Sequence, residues 1–446
     1  MLEVGRNPQI KLHTLARVTS IKGQVGNFEL EVLHQPKYVT DKCNGCLACV
    51  DHCPAWGIDA YNEGFSHRKA IYKAFAQAVP SKVVIDMVDC VRCGTCINIC
   101  EQDAINLNEE PRTEVLNVGT IAVATGWDEY RPTKGYLGYG VYDNVITQME
   151  FERLLAPNGP YLGHFARPSD NKVPKSVLFV QCVGSRDIHE NAYCSAGVCC
   201  MVSVKNSKLI KQEDPDVDVA VAYIDMRCAG KMYEEYFRDA REYGVRFVPS
   251  SVSKVKELPD KSLEVTLDVD EPVQEVFDLV ILSCAIKPSK TANLLNQVLG
   301  LQQTPDGFFK EYHARLNPID SPVPGIAYAG VSQGPKSIAE SIMQARGAAS
   351  SLGTIMHRGA YDLEMIKAVV DEDRCSRCGL CVDACPYNAI ALNDEGIAVV
   401  NEVLCRGCGT CAALCPSVCI DLRNNRESQY VAVIDSLFEN GTPVEE

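Results

Sequence analysis

Three features that would place a protein in a membrane, outside the cell or on nucleic acid are lacking from this sequence of 446 residues. No apolar stretch approaches the roughly 20 residues that a membrane-spanning helix needs. The opening residues MLEVGRNPQIK are too polar for a secretory signal. A net charge of −15 provides no basic surplus for neutralising phosphates. We therefore expect a cytoplasmic protein with no membrane span and no nucleic-acid partner.

A glycine-rich G-x-G-x-x-G turn, which would hold the pyrophosphate of a dinucleotide, is also absent. Cysteine, by contrast, is abundant, with 23 residues. Disulfides would be the expected use of so many cysteines in a short secreted domain. Because the sequence shows no secretory signal and the cysteines are regularly spaced, we expect reduced thiolates that bind iron.

Sixteen cysteines form four copies of the run C-x2-C-x2-C-x3-C, arranged as two adjacent pairs. This spacing is typical of [4Fe–4S] clusters, and a pair of runs makes a two-cluster ferredoxin module in which the fourth cysteine of each run binds the cluster of its mate. Zinc is the alternative metal, but its sites normally use C-x2-C pairs rather than runs of four. The predicted ligand sets are Cys43, Cys46, Cys49 and Cys100; Cys90, Cys93, Cys96 and Cys53; Cys375, Cys378, Cys381 and Cys415; and Cys405, Cys408, Cys411 and Cys385.

The segment after each fourth cysteine repeats as well, as PAWGI, EQDAI, PYNAI and PSVCI. A small residue recurs at the fourth position of this segment, which makes Cys419 a core residue rather than a ligand. Glu101 takes the place of the proline that usually follows the fourth cysteine. A carboxylate there is expected to raise the local polarity and shift the potential of that cluster without preventing ligation.

Between the two modules the pattern changes to alternating strands and helices. Continuous apolar strands that alternate with helices favour a parallel sheet covered on both faces. Short strands are also predicted before residue 40 and at 115–124. The sequence therefore predicts an α/β core that carries a ferredoxin module near each end. Its apolar strands are predicted at 176–183, 217–225, 277–283 and 325–330, and its helices at 231–243 and 335–357.

Four further cysteines lie close together in VQCVGSRDIHENAYCSAGVCCM and form a candidate fifth ligand set. In flavin disulfide reductases, the strand that opens the second nucleotide domain precedes a glycine-rich phosphate-binding turn. Here that strand leads into a turn with one glycine and a cysteine, which indicates that a metal centre has replaced the nicotinamide site. Buried free cysteines are common, and Cys228 and Cys284 are expected to be inert core thiols. The candidate set is Cys182, Cys194, Cys199 and Cys200.

Several motifs occur in a characteristic order along the chain. They are EVGRNPQI, RKAIYKAFAQAVP, IAVATG, QCVGSR with YCSAGVCC, and AGVSQGPKSIAESIMQA, followed by the C-terminal cysteine runs. In these motifs the chain resembles the A-type polypeptides of heterodisulfide reductase (the HdrA family) from methanogenic and related archaea, over nearly its whole length. Related proteins of sulfate reducers and acetogens share the motifs, so the motifs indicate the family more firmly than the pathway.

The resemblance implies a thioredoxin-reductase-like flavoprotein core, made of a partial FAD domain and an NAD-domain-like unit, with two ferredoxin modules of the α+β class. The implied division is a partial FAD domain at 1–40, an inserted ferredoxin domain at 41–108, the FAD domain continued at 109–175, an NAD-domain-like unit with the fifth cluster at 176–285, the C-terminal part of the FAD domain at 286–358, a C-terminal ferredoxin domain at 359–430 and a tail at 431–446.

The resemblance also implies an oxidoreductase in which FAD bifurcates electrons. A two-electron donor, such as a hydrogenase, a formate dehydrogenase or a deazaflavin enzyme, would reduce the flavin. One electron would pass to ferredoxin, and the other would pass to HdrB/HdrC-like partner proteins that reduce the CoM-S-S-CoB heterodisulfide. The alternative is a flavin-free, multi-cluster electron relay in a related redox complex.

Lys205 matches a family lysine near the flavin ring, where its charge would stabilise the reduced, anionic flavin. From the sequence alone, a solvated lysine on an ordinary helix is the better interpretation, and only with the resemblance do the two interpretations stand about even. The fifth set departs from the family, because it reads C-x4-CC instead of C-x3-CC. In the loop that matches the family's turn, Val331 stands where many FAD enzymes have an acidic residue. The resemblance implies flavin contacts by Thr125, Gly126, Gly330, Gln333, Gly334, Pro335 and Lys336.

Longer members of the family begin with an additional region that includes the strand, glycine turn and helix for the FAD pyrophosphate. The sequence therefore predicts that a separate chain of the same family supplies that turn and shares the FAD. The ATG and AGVSQGPK motifs favour this shared site, because a relay without flavin would not need them. A third possibility is a truncated gene model, in which the residues of that turn would be encoded just upstream.

Overall fold

The structure is a computed structural model that describes residues 2–189, 192–269 and 271–439. Of the predicted tail at 431–446, residues 440–446 lie outside the described residues. Short 3-10 helices lie at Ala60–Asn62, Tyr136–Gly138 and Gly330–Gln333.

The strands, in chain order, are β1 (Ala16–Gln24), β2 (Asn27–His34), β3 (Trp56–Ile58), β4 (His67–Lys69), β5 (Ile71–Tyr72), β6 (Val84–Ile85), β7 (Arg112–Val118), β8 (Ile121–Val123), β9 (Trp127–Glu129), β10 (Val145–Thr147), β11 (Ser176–Val183), β12 (Asp218–Tyr223), β13 (Arg246–Pro249), β14 (Ser251–Glu257), β15 (Leu263–Asp268), β16 (Val273–Phe277), β17 (Leu279–Cys284), β18 (Ile286–Pro288), β19 (Ile326–Tyr328), β20 (Lys367–Val370), β21 (Ile390–Leu392), β22 (Ala398–Val400) and β23 (Ile420–Arg423). The α-helices are α1 (Leu2–Arg6), α2 (Ala48–Asp51), α3 (Thr95–Ile99), α4 (Gln148–Leu155), α5 (Val198–Glu213), α6 (Tyr233–Glu242), α7 (Ala292–Leu299), α8 (Ile338–Arg358), α9 (Leu380–Asp383), α10 (Thr410–Leu414) and α11 (Glu427–Glu439).

The first sheet is antiparallel and has the strand order β1-β2-β7. Its central strand β2, NFELEVLH, alternates between less buried and buried positions, because successive side chains of a strand point to opposite faces. The chain leaves β2 to form the inserted ferredoxin module and returns from that module into β7. The inserted module is therefore connected to the rest of the chain through β2 and β7, which form its base.

The inserted module consists of short strand pairs, β3 with β4 and β5 with β6, and the small helices α2 and α3. The segment between its two cysteine runs packs on the core. Arg153 of α4 donates a hydrogen bond to Asn62 Oδ1 at 2.7 Å and lies 4.3 Å from the centre of the Tyr61 ring. Phe65 packs against the apolar core beneath α4.

The central unit is a five-stranded parallel sheet in the order β10-β17-β11-β12-β13. Every residue of β17 is buried, which confirms the expectation of a parallel sheet covered on both faces. One apolar cluster that includes Phe151 and Phe179 and a second that includes Leu178 and Val265 cover these faces. Strand β10 pairs with β17 in this sheet, so the sheet includes residues on the N-terminal side of the expected division at 175/176. Only the pairing of β10 with β17 identifies so short a strand.

A three-stranded antiparallel sheet, β14-β15-β16, connects β13 to β17. The prediction of one strand over 277–283 is wrong, because the chain changes sheets inside that run. Phe277 ends β16 opposite Leu263, whereas Leu279 begins β17 opposite Val177. Asp278 lies at the junction, where its N–H donates to the Ser176 carbonyl at 3.0 Å.

Helix α8 begins at Ile338 and not at Pro335, which corrects the predicted start. Ser337 is the N-cap: its hydroxyl accepts the Glu340 N–H, and the Glu340 carboxylate accepts the Ser337 N–H. This reciprocal pair is a capping box, and it satisfies two N–H groups that the first helical turn leaves free. The proline therefore belongs to the loop that precedes the helix.

The C-terminal module contains the strand pairs β20 with β23 and β21 with β22 and the small helices α9 and α10. Arg406 joins it to the core by donating to the Pro322 carbonyl at 3.0 Å, with the guanidinium 4.8 Å from the Tyr312 ring centre. The predicted boundary at 430/431 falls inside α11, because helical structure continues through ESQYVAVIDSLFE. Among the described residues, no helix is both long and apolar enough to cross a membrane.

Candidate iron–sulfur and flavin sites

The C-terminal module brings its predicted ligand sets together as two separate groups of cysteines. The helices α9 and α10 pack against each other, which places the cysteine that follows each helix beside the other run. Each group contains three cysteines of one run and the fourth cysteine of its mate, as the spacing predicts. One cavity is lined by Cys385, Cys405, Cys408 and Cys411, and the second by Cys375, Cys378, Cys381 and Cys415.

The inserted module shows the same crossing of its two runs. Cys53 lines a cavity with the first three cysteines of the second run, at 90–96. The thiol of Cys49 has Cys43, Cys46 and Cys100 as neighbours. Burial, with Cys43 adding to it, raises the pKa of Cys49 to about 11. A thiolate in this position needs a nearby cation, and the iron of a cluster would supply that charge.

The residue four positions after the fourth cysteine donates its backbone N–H to that cysteine in three of the runs. Hydrogen bonds to the sulfurs are one of the factors that set the reduction potential of a cluster. The donors are Ala104 to Cys100 Sγ (3.4 Å), Ala389 to Cys385 Sγ (3.3 Å) and Cys419 to Cys415 Sγ (3.4 Å). Cys419 is buried at this repeated position, as expected for a core residue.

The second cysteine of every run is exposed at the surface, whereas the other cysteines of the runs are buried or half-buried. Each of the four proposed clusters would therefore approach the surface at one ligand. Such a position suits electron exchange with a partner protein. The exposed cysteines are Cys46, Cys93, Cys378 and Cys408.

The four cysteines of the candidate fifth set also lie together. The thiol of Cys199 has Cys182, Cys194 and Cys200 as its neighbours. A bulge in β11 and a left-handed backbone at Cys182 (φ 63°) re-aim this side chain at the end of the strand. Burial raises the pKa of Cys182, so a thiolate there also needs a cation.

The C-x4-CC spacing is accommodated by a tight turn before α5. Ala196 (φ 52°) and Gly197 (φ 77°) both adopt the left-handed conformation, and Gly197 is the N-cap of the helix. A Cβ at Gly197 would meet the Arg227 carbonyl oxygen at 2.5 Å, so this position requires glycine. The turn places Cys199 and Cys200 in the first turn of α5.

The two remaining cysteines of the core differ from each other. Cys284 is buried in the sheet, as expected. The prediction of a core thiol is wrong for Cys228, which is partly exposed in the loop between β12 and α6 and has Cys200 as a neighbour. Burial raises the pKa of Cys228 to about 11. The loop position follows from the early end of β12, at Tyr223.

A buried hydrogen-bond network fixes helix α5, which carries Cys199 and Cys200. Ser203 Oγ accepts from Gln148 Nε2 at 2.7 Å and from Gln181 Nε2 at 2.5 Å, and it lies 2.8 Å from Ser283 Oγ. These residues come from α5, α4, β11 and β17. The sequence patterns gave no signal for this network, because its members are far apart along the chain.

A cavity of about 590 Å³ lies between the start of α5 and the start of α8. Its walls include the turn Ala196–Val198, which directly precedes Cys199, and Ser337–Ile338 at the other side. Trp127 and Ile286 complete one part of the lining. The volume lies within the usual range of small-molecule sites. The cavity therefore adjoins the fifth cysteine set.

The charged residues that line this cavity are mostly basic: Lys205, Arg227 and Lys336, against Glu340. The side chain of Lys205 is 39% exposed, and its Nζ lies 2.5 Å from Glu152 Oε1. The structure thus places Lys205 at the cavity and gives it an ion-pair partner that sequence reasoning missed. Such a lining favours an anionic ligand.

The loop Gly330–Lys336 lies beside Thr125 because β8 and β19 pair in parallel. Lys336 Nζ donates to the Gly330 and Gly334 carbonyls, both at 2.8 Å, and to Gln333 Oε1 at 3.1 Å. Burial lowers the pKa of Lys336 to about 8. The three hydrogen bonds that Lys336 donates fix the shape of the loop. Ser332 adds a hydrogen bond to the Val123 carbonyl at 3.1 Å.

Several of these residues fit the ring end of a flavin. Thr125 Oγ1 is buried with no hydrogen-bond partner among the described residues. At Gly126 and Gly334, a Cβ would meet nothing within 4 Å, so open space lies beside both backbones. An orphaned hydroxyl and two open glycine backbones suit the polar edge of a flat ligand. Of these residues, Thr125, Gly126 and Gly334 are not among those that line the 590 Å³ cavity, whereas Lys336 is.

Sequence reasoning did not single out Trp127 and Arg227, which line the cavity, or Glu152, which pairs with the cavity residue Lys205. Trp127 directly follows the ATG motif, so its position could have been inferred. Arg227 and Glu152 carry no such signal, because the loop after β12 and the helix α4 approach the cavity only in the folded chain.

Two comparisons concern the modules and the fold. Family models described as "4Fe-4S dicluster domain" match residues 42–105 and 366–428. The chain therefore contains two 4Fe–4S dicluster domains, and both predicted modules are confirmed. Among solved structures, the thioredoxin reductase of T. acidophilum is similar over 56% of this chain and 69% of that chain, at 13% identity and a TM-score of 0.37.

Curated relatives match the chain over nearly its whole length, among them one from Methanocaldococcus jannaschii and one from Methanococcus maripaludis. It is 45% identical to the iron-sulfur A-type polypeptide of the CoB–CoM heterodisulfide reductase of Methanocaldococcus jannaschii, across 98% of this chain and 68% of that protein. It is 42% identical to the A-type polypeptide of the H(2)/formate:CoB-CoM heterodisulfide,ferredoxin reductase of Methanococcus maripaludis, across 100% of this chain and 69% of that protein. The chain therefore belongs to the HdrA family of heterodisulfide reductase polypeptides.

Proposed function

We propose that this chain, an iron–sulfur oxidoreductase component of the heterodisulfide reductase type, binds FAD and is the component in which electrons are bifurcated. The observation that carries the proposal is the 590 Å³ cavity beside the fifth cysteine set. A ligand in this cavity would contact the turn Ala196–Val198, and the next residue is Cys199. A flavin in this cavity would thus lie next to the candidate fifth cluster.

When bound, FAD would supply the chemistry that separates the two electrons of one donor, one for ferredoxin and one for reduction of the CoM-S-S-CoB heterodisulfide. The chain's own residues would bind the ring and adjust its charge. Thr125 offers its unpaired hydroxyl as a hydrogen-bond partner. Lys205 and Arg227 place positive charge at the cavity wall, which favours an anionic ligand.

The iron ligands are part of the same proposal. The thiols that line each module cavity would hold the four clusters of the dicluster domains, and Cys182, Cys194, Cys199 and Cys200 would hold a fifth. Their grouping in the structure supports this assignment. The exposed second cysteines of the runs would be the points at which electrons enter and leave.

The partners follow from the chemistry and from the relatives. The name of the Methanococcus maripaludis relative includes H(2)/formate and ferredoxin. We infer corresponding partners here: an electron-input component of the hydrogenase or formate dehydrogenase type, ferredoxin as one acceptor, and HdrB/HdrC-like proteins as the heterodisulfide branch. A glycine-rich turn for the FAD pyrophosphate would come from residues outside this sequence, in a separate chain or a longer one.

The charge at the cavity provides a direct test. FAD would be titrated anaerobically into the complex that contains this chain, and flavin fluorescence and the flavin midpoint potential would be measured. Lys205→Met should lower the potential and weaken binding of reduced flavin about tenfold, or ~1.4 kcal/mol. Lys208→Met is the matched control. It lies on the same helix, but its Nζ pairs with Asp239 at 3.3 Å, and it does not line the cavity.

The outcomes separate the two candidate functions. An effect of Lys205→Met without an effect of Lys208→Met supports the flavin site. A complete complex that contains no flavin and binds none would contradict bifurcation and leave the multi-cluster relay. Equal effects of both substitutions would show that the cavity is not the flavin site.

A further inference from the structure

The antiparallel sheet β1-β2-β7 carries a cluster of metal-ligating side chains outside the sites described above. His13 precedes β1, His34 ends β2 and Glu114 lies in β7. His34 Nε2 lies 3.2 Å from Glu114 Oε2. His13 Nδ1 lies 3.4 Å from His34 Nε2 and 3.7 Å from Glu114 Oε2. Two imidazole nitrogens and one carboxylate oxygen thus face a common point.

These separations match the edges of a tetrahedral zinc site. Zinc binds histidine nitrogen and carboxylate oxygen at about 2.0–2.2 Å, so two ligand atoms of a tetrahedral site lie roughly 3.3 Å apart. Two of the three edges, at 3.2 and 3.4 Å, lie close to that value, and the third, between His13 and Glu114, is longer at 3.7 Å. Two histidines with one glutamate are also a common protein ligand set for zinc that keeps its fourth position open.

The strand register explains why the side chains converge. Glu114 is paired with Val32, and His34 follows two residues later on the same strand. Residues two apart on a strand point to the same face, so His34 and Glu114 share a face of the sheet. Their side chains are 6% and 22% exposed, and that of His13 is 18% exposed. The common point is therefore shielded by the sheet but open on one side.

Two basic residues contact the carboxylate and must be considered as competitors. Lys11 Nζ binds Glu114 Oε1 at 2.8 Å, which leaves Oε2 to face the imidazoles. Arg112 Nη1 lies 3.2 Å from Oε2. The Arg112 side chain is 61% exposed, so it can turn to solvent when a cation binds. An exposed ion pair of this kind contributes little stability, which makes it displaceable.

We propose that His13, His34 and Glu114 bind one divalent cation of the zinc class, with water at the fourth position. The ligands come from three segments of the chain. Two of them, β2 and β7, are the strands from which the inserted ferredoxin module emerges. A metal at this point would fasten both strands and the segment before β1 together at the base of the module.

Zinc is the probe for the test, and the protein is the full chain with its clusters loaded. After dialysis against buffered Zn²⁺, we expect one additional zinc per chain. Zinc-edge X-ray absorption should show only nitrogen and oxygen neighbours at about 2.0–2.2 Å, without the sulfur shell near 2.3 Å that cysteine would give. Glu114→Gln and His13→Gln should each weaken zinc binding at least tenfold while the iron content stays unchanged.

His164→Gln is the matched control, because His164 Nδ1 also faces a carboxylate, Glu213 Oε1, at 3.0 Å, but belongs to no three-ligand group among the described residues. Zinc should raise the thermal unfolding midpoint of the wild type and of His164→Gln, but not that of His13→Gln. The position of His13 before β1, outside the strands, keeps the test valid if Glu114→Gln fails to fold. A sulfur shell, no bound zinc, or equal zinc affinity of His13→Gln and the wild type would overturn the proposal.

Discussion

The two ferredoxin modules have the same cysteine pattern but are attached to the core in different ways. The inserted module is joined through two strands of one sheet, and Arg131 binds its Glu63 together with the core residues Glu129 (3.4 Å) and Glu150 (2.9 Å). The C-terminal module follows α8 by one connection, and Arg406 is a principal contact with the core. The cysteine pattern therefore determines the cluster cradle, whereas the surroundings determine how firmly each module is held.

The largest effect is expected from a substitution that tests what the modules share. Because Cys385 lines the cavity of the run at 405–411, Cys385→Ser should remove the cluster of that run, about four iron atoms per chain. Alkylation and mass spectrometry should then find the thiols at 405–411 reactive and those at 375–381 protected. Cys419→Ala is the control. Reactive thiols at 375–381 instead would show that the ligands do not cross.

The pH should affect the charge cluster through which Arg131 joins the inserted module to the core. Burial raises the pKa of Glu129 to about 7, from an ordinary value near 4.5. The folded protein keeps this proton between those values while the unfolded chain loses it. The contribution of this bound proton to the free energy of unfolding is therefore complete below about pH 4.5 and is lost as the pH rises to about 7.

Urea unfolding of the wild type and of Glu129→Gln would be compared between about pH 5 and pH 8. The wild type should lose about 2–3 kcal/mol more than the variant across this range, since one pKa unit corresponds to ~1.4 kcal/mol. Proteolysis of the C-terminal module should show no such difference between the two proteins. Parallel pH curves for wild type and variant would contradict the assignment.

The substitution Arg131→Met should loosen the inserted module, because the carboxylates of Glu63, Glu129 and Glu150 would lose the guanidinium that they share. Loss of one partner of a buried pair costs about 3–5 kcal/mol, and because the Arg131 side chain is 42% exposed, we expect about 1–2 kcal/mol. Limited proteolysis should then cut the inserted module faster. Arg246→Met is the control, because Arg246 is 41% exposed and binds Asp218 and Glu275 away from both modules. Equal cleavage of both variants would count against this attachment.

Arg406→Met should have the smallest effect, about 1 kcal/mol, because it removes a hydrogen bond to a carbonyl and a cation–ring contact. The C-terminal module should become more accessible to protease, with the inserted module unchanged. Arg374→Met provides the comparison, since Arg374 donates within the module, to the Ser417 carbonyl at 3.4 Å. If Arg374→Met released the module as readily, Arg406 would not be a docking residue.

The modules were predictable because their information is local. Each run places three cysteines within seven residues, and the fixed spacing determines which chemistry they can perform. The buried strand β11 was equally predictable, since SVLFVQCV is apolar along its length. Short strands such as β10 were not predictable, because three residues acquire a role only through pairing with β17.

The cavity and its charges required the folded chain. Lys205 was expected near a flavin from the family motif, but its partner Glu152 comes from α4 and Arg227 from the loop after β12. The start of α8 also differed from expectation, because the side-chain exchange between Ser337 and Glu340 determines it rather than the proline.

By itself, the sequence determined which cysteines lie together, because the spacing within each run and the pairing of adjacent runs are encoded in the order of residues. Only the tertiary structure decided where the modules are attached, which residues surround the cavity, and that His13, His34 and Glu114 face one point. Those features join segments that are distant along the chain. They depend on strand register and on packing between elements, which no local pattern specifies.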